Sequence, residues 1–192
     1  MADSPVPRMI IVAGPPGAGK STAFPVASFG VDAFNADDRA AELNGGSYLG
    51  IPAQVRQQVN GEFEAFIAGH IRAGESFAFE TTLRSSITFE QAERAKAAGF
   101  RVEMRYLALE NFARHLMRVK SRADQGGHSA PEAVLRSIHE ASLGHLGRAI
   151  REIDLVRVYD NTGWGTAPVL VLEANDGKVV YQRAAPPAWM IL

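Results

Sequence analysis

Residues 9–22 read MIIVAGPPGAGKST, and the reading of this stretch decides the fold. Residues 9–13 are all apolar and lie between Pro7 and Gly14, which predicts a short buried strand. Directly after it, Gly14 to Ser21 match G-x-x-x-x-G-K-S, and residues 20–28 suit a helix opened by the glycines. A strand running through that pattern into a helix gives each residue type a task. Glycines let successive backbone N–H groups turn inward around phosphate oxygens. The helix N-terminus adds partial positive charge. Lys20 is placed to reach the terminal phosphates, and the Ser21 hydroxyl to sit on a divalent cation. The stretch therefore predicts a nucleoside triphosphate site made by Gly14, Gly17, Ala18, Gly19, Lys20, Ser21 and Thr22, with Mg²⁺ on Ser21. Lysine is rare in the chain, occurring only at positions 20, 96, 120 and 178, so its place in this motif carries weight.

Outward from the glycine loop, strand and helix patterns alternate. Strands are expected at 31–35, 77–79, 102–107 and 155–159, and helices at 37–43, 52–73, 88–98, 110–122 and 131–150. Residues 44–52 (NGGSYLGIP) form a loop by their glycines and proline. The long pattern from 52 to 73 places Val55, Val59, Phe63, Phe66 and Ile67 at helical steps, opened by Pro52 and closed by Gly74. Such alternation implies an α/β fold with a parallel sheet flanked by helices. The end departs from it. Apolar runs at 169–172 and 178–182 flank Asn175-Asp176-Gly177, an antiparallel β-hairpin signal. The hairpin is expected to serve as an edge or a lid, followed by a tail whose Trp189 packs against the body. We expect one domain over 1–192, with a core at about 9–162 and the hairpin and tail at 167–192.

Bulk properties narrow the partners. At 192 residues, 46% hydrophobic and 21% charged, the chain can bury a sizeable core. Its 20 basic and 21 acidic residues argue against a dedicated nucleic-acid binder. The absence of cysteine leaves neither disulfides nor thiolate metal sites, as suits a reducing cytoplasm. No signal-peptide pattern and no apolar run of membrane-spanning length is expected to matter here, so no membrane partner is expected.

The reaction class depends on residues away from the glycine loop. None of the asparagines is followed by lysine, so the N-K-x-D guanine signature is missing, and Asp124-Gln-Gly-Gly127 follows a helix rather than a strand. In SFAFETTL (76–83), Glu80 ends an apolar strand with no basic residue before Arg84. Ends of strands are where open α/β sheets hold ligands, so Glu80 suits either a water-polarising acid of an ATPase or an acceptor-binding acid of a kinase. Asp37 closes the second strand, as an N-cap, a task that Asp38 suits equally, or, with that strand beside the first so that its end faces the glycine loop, as a base for an acceptor hydroxyl. Arg114, Arg118 and Arg122 recur every four residues opposite Phe112, Leu116, Val119 and Ala123. That is the pattern of a solvated helix face. The same helix runs into a glycine break at 126–127, a hinge by which Arg122, with Arg136 from the next helix, could approach a triphosphate. The histidines match no H-E-x-x-H pattern, and His128 reads as a loop contact.

Together GPPGAGKST, FNADD, FAFETTL, GFRVEMRYLAL, RVKSRADQGGHSAPEAVLR and VYDN occur in the order typical of the zeta-toxin family of P-loop kinases, and the chain resembles that family over about residues 9–162. The resemblance implies a parallel five-stranded P-loop NTPase kinase-like fold. It also implies ATP and Mg²⁺ as cofactors, a hydroxyl of a UDP-linked sugar as acceptor, and an antitoxin protein as partner. Carried over by position, Lys20 would hold the β/γ-phosphates, Asp37 would be the base, and Arg122 and Arg136 would surround the transferred phosphoryl group. Glu80, with Thr81 and Arg84, would bind the acceptor. The rival readings are an ATPase coupling hydrolysis to conformational change and a non-catalytic nucleotide-binding protein. A kinase acting on polynucleotide 5′-hydroxyls is disfavoured by the charge balance.

Overall fold

The computed structural model describes residues 5–124, 130–163 and 165–190, without the side chain of Asp124. Its sheet starts from β1 (Arg8–Ala13), whose residues from Met9 onward are at most 1% exposed. A strand buried on both faces needs a continuous apolar run rather than alternation, and MIIVA supplies it. β2 (Asp32–Phe34), β3 (Phe77–Thr81), β4 (Arg101–Ala108) and β5 (Leu155–Asp160) join β1 in the order β2-β3-β1-β4-β5, all parallel. β6 (Val169–Asn175) and β7 (Lys178–Gln182) continue the same sheet antiparallel. Asp176 and Gly177 both have positive φ, which the tight hairpin turn requires. The hairpin is thus an edge of the sheet, on the side away from β2. Trp189 and Met190 of the tail pack against the main core.

The helices are α1 (Lys20–Ala23), α2 (Ala36–Leu43), α3 (Ala53–Ala73), α4 (Ile87–Ala97), α5 (Phe112–Asp124) and α6 (Glu132–Glu152). Three differences from the sequence reading have physical causes. The helix expected over 20–28 stops at Ala23, because Pro25 cannot continue it and drives Phe24 out of helical geometry; a 3₁₀ turn, Val26–Phe29, follows. Neither Asp37 nor Asp38 caps α2. Asn35 does, its side chain accepting from the backbone N–H of both. And β2 does not neighbour β1: β3 lies between them. The glycine break at 126–127 and His128 lie outside the described residues.

An aromatic cluster fixes the β2–β3 side. Phe63 and Phe66 of α3 meet Phe34, Phe77 and Phe79 with ring centroids 5.1–5.8 Å apart. This apolar seam holds one stripe of α3 on the sheet and turns the next stripe toward the sheet's C-terminal rim. The parallel register sets the rest. Val12 is level with Glu80, Ala13 with Thr81, and Phe34 with Phe79, so β1, β2 and β3 all end on that rim. β1 has β3 on one side and β4 on the other, a switch point of the kind where ligands bind in open α/β sheets.

Candidate active site

The rim opens into one cavity of about 1270 Å³. Its floor is the glycine loop. Gly14, with φ 141°, passes so close to β4 that a Cβ would land on the Leu107 carbonyl, and a Cβ on Gly17, with φ 79°, would strike the His115 carbonyl of α5. Only glycine permits this combination of positive φ and backbone contact.

Lys20 is 7% exposed, and its Nζ donates to the carbonyls of Gly14 (2.9 Å) and Pro15 (3.3 Å). Glu80 Oε1 stands 3.6 Å from the same nitrogen. Burial lowers the Lys20 pKa; Glu80 and Asp37 oppose that shift, and Arg122 adds to it. The other Glu80 oxygen accepts from Ser21 Oγ at 2.7 Å. The carboxylate that has no nearby basic residue in sequence is therefore compensated in space by Lys20 and Ser21, on the strand beside the glycine loop. Both of its oxygens face the end of the glycine loop.

Asp37 lies in the first turn of α2 and lines the cavity, with no side-chain hydrogen bond among the described residues. Because Asn35 takes the capping task, the Asp37 carboxylate is left for the cleft. Asp38 is engaged instead, accepting from the Tyr48 hydroxyl at 2.8 Å. Thr81 and Arg84 line the cavity where β3 turns away. That turn places Leu83 at φ 55°, uncommon for a non-glycine residue, and is tied by Leu83 N–H to Thr81 Oγ1 and by His145 Nδ1–H to the Leu83 carbonyl.

Of the two predicted arginines, Arg122 lines the cavity. Arg136 does not. On α6 its guanidinium lies 4.1 Å from the Phe112 ring centroid and donates to Glu132 at 3.2 Å. Arg118, which the helical spacing assigned to a solvated face, instead lines the cavity and donates to the carbonyls of Asn161 (2.9 Å) and Gly163 (3.1 Å). Asn161 in turn donates to the Ala18 carbonyl.

The far wall went unread in the sequence. Arg56, Asn60 and Glu64 stand at successive four-residue steps of α3 and line the cavity together with Thr88 and Gln91 of α4. Glu64 accepts from Gln91 Nε2 at 2.6 Å and from Arg94 at 3.1 Å. The missed signal was a polar stripe adjoining the apolar one in α3, visible only if both faces of the helix are read together.

Among the described residues no three histidine or carboxylate side chains gather in a metal site. The paired oxygens of Ser21 and Glu80 do suit Mg²⁺, which binds through one or two protein oxygens while keeping waters and phosphate oxygens as its other ligands. No helix of the described residues is long and apolar enough to cross a membrane.

A glycine loop at the end of the central one of five parallel strands, with an acid on the adjacent strand, defines the P-loop kinase-like class of α/β proteins. Within it the chain belongs to the zeta toxin family, whose family model matches residues 53–184. An uncharacterized protein of Haemophilus influenzae is 28% identical over 133 residues, 67% of this chain and 90% of that protein. Among solved structures, AvrRxo1-ORF1:-ORF2 with ATP aligns at TM-score 0.68 and 19% identity over 93% of this chain and 61% of that one. The chain thus spans about three fifths of that relative. The PezAT chromosomal toxin-antitoxin system of Streptococcus pneumoniae aligns at TM-score 0.60 and 16% identity, covering 97% of this chain and 77% of that chain. At these identities the two structures share the fold.

Proposed function

We propose that the protein is a Mg²⁺/ATP-dependent kinase that transfers the γ-phosphoryl group to a hydroxyl of a small acceptor. The observation carrying this reading is that Lys20, Ser21, Asp37, Glu80 and Arg122 all line one cavity. A hydrolase needs only a place for water. This cavity has in addition a second polar wall of Arg56, Asn60, Glu64 and Gln91, which suits a substrate larger than water.

In the proposed reaction the loop N–H groups and Lys20 cradle the β/γ-phosphates, Lys20 exchanging its carbonyl contacts for phosphate oxygens. Ser21 and Glu80 are the residues that would hold Mg²⁺, which when bound supplies charge neutralisation between the phosphates. Asp37 accepts the acceptor hydroxyl proton as its oxygen attacks the γ-phosphorus in line with the leaving ADP oxygen. Arg122 stabilises charge on the transferred group. Arg136 has this role through family resemblance, and it needs α6 to carry it inward when the triphosphate is bound. Thr81 and Arg84 orient the acceptor beside Glu80.

The cations Arg56 and Arg84 in the cavity wall favour an anionic acceptor, and the family resemblance narrows this to a UDP-linked sugar. The PezAT name describes a toxin-antitoxin pair, which supports an antitoxin partner for this chain as well. Mass spectrometry of metabolites incubated with ATP, Mg²⁺ and pure protein tests the reading. A metabolite gaining one phosphate supports it, with UDP-sugars first among the candidates. Rapid ATP consumption without any acceptor would favour the ATPase instead. Tight ATP binding with neither release nor transfer would favour a binding protein.

A further inference from the structure

The phosphate loop rests on a buried histidine that none of the roles above uses. His115, in the first turns of α5, is 1% exposed. Its Nε2 accepts from the Leu109 backbone N–H at 3.0 Å, so that nitrogen carries no proton. In the neutral ring the proton then belongs to Nδ1, which stands 3.0 Å from the Pro16 carbonyl and donates to it. One imidazole thus spans the loop after β4 and the middle of the phosphate loop, in a single defined tautomer.

The surroundings keep it neutral. Burial pushes the His115 pKa down to about 3, and His139, Lys20 and Arg118 push the same way, while the Pro16 contact opposes them. The backbone beneath is equally close, since the His115 carbonyl occupies the space a Gly17 side chain would need. Residue 115 therefore touches the loop twice, through its carbonyl at Gly17 and its ring at Pro16. It also continues into α6: the His115 ring lies 4.8 Å from His139, His139 lies 5.4 Å from Phe112, and Phe112 carries Arg136 on its face.

We propose that His115 is a positioning residue: through Nδ1–H to the Pro16 carbonyl it fixes the phosphate loop in register with the helix that carries Arg118 and Arg122. A loop whose amides must converge on phosphate oxygens loses affinity if its middle can drift, and Pro15 and Pro16 have no N–H of their own with which to anchor it. Lys20 takes the carbonyls of Gly14 and Pro15 and Asn161 that of Ala18, while the Pro16 carbonyl between them is held by His115. This inference rests on the proposed nucleotide site.

The test is isothermal titration of a non-hydrolysable ATP analogue with Mg²⁺ into wild type, His115→Phe, His115→Asn and His115→Gln. The first variant keeps ring volume without hydrogen bonds, the second offers an amide N–H near the Nδ1 position, and the third offers one near Nε2. We expect His115→Phe to bind about tenfold more weakly or worse, as befits a lost buried hydrogen bond, and His115→Asn to recover most of that loss where His115→Gln does not. In turnover assays the loss should fall on KM for ATP rather than on kcat at saturation. Unchanged affinity in His115→Phe overturns the proposal, as does equal weakening in all three variants alongside equal losses in Tm. If His115→Phe fails to fold, the order of the Asn and Gln variants decides, recovery by Gln alone being adverse. Wild-type protein that binds no analogue would remove the nucleotide site itself and this inference with it.

Discussion

Ser21 and Glu80, 59 positions apart in sequence, are joined by a 2.7 Å hydrogen bond from the Ser21 hydroxyl to Glu80 Oε2. The bond exists because β1 and β3 are adjacent and parallel with Val12 level with Glu80, so the residue after one strand's glycine loop meets the acid ending the next strand. With Lys20 3.6 Å away on the other carboxylate oxygen, Glu80 sits inside the charge balance of the glycine loop.

Glu80→Gln should therefore act first on metal dependence. We expect half-saturating Mg²⁺ to rise about 10- to 100-fold, the usual cost of weakening a group at a metal site. A Mg²⁺ titration of phosphoryl transfer checks this. An unchanged Mg²⁺ curve with a raised KM for the acceptor would return Glu80 to acceptor binding alone.

Asp37 has its carboxylate free of hydrogen bonds among the described residues because Asn35 caps α2. Asp37→Asn should lower kcat by about 10²- to 10⁴-fold, the range of a lost general base. Binding of the ATP analogue should stay near wild type. Full turnover with the true acceptor would reject the assignment.

The two arginines are expected to separate. Arg122 lines the cavity and Arg136 does not. Arg122→Ala should cost on the order of 10³-fold or more in kcat. Arg136→Ala should cost as much only if α6 moves inward with the triphosphate bound, and single-turnover rates of both variants read the difference directly.

Stability should fall on acidification through His115. Its pKa in the folded protein is about 3, below the ordinary histidine value, so the unfolded chain binds the extra proton first. The neutral ring's contribution is complete above about pH 6.5 and is lost as pH drops toward 3, at up to roughly 1.4 kcal/mol per pH unit. Urea unfolding of wild type and His115→Phe between pH 7.5 and 4 should show the steeper decline in wild type. His139, also lowered by burial, contributes in both proteins. Parallel curves would show that His115 does not titrate as described.

The sequence by itself determined the elements whose causes are local. A run of five apolar residues entering a glycine loop is legible because strand, turn and helix start each follow from neighbouring residues. The Asp-Gly hairpin and the phosphate loop needed no tertiary information. Tertiary structure decided what depends on strand order and on which of two equivalent groups finds a partner first. Asn35 rather than Asp37 caps α2 because its side chain reaches both backbone N–H groups; that competition leaves no trace in spacing. Glu80 found its counter-charge on Lys20 only because β3 lies directly beside β1. Arg118 and His115 were legible as one exposed cation and one helix residue, yet both are fastened to loops distant in sequence. Periodicity reports which face of a helix is apolar. It cannot report which backbone carbonyls the folded chain will set against the other face.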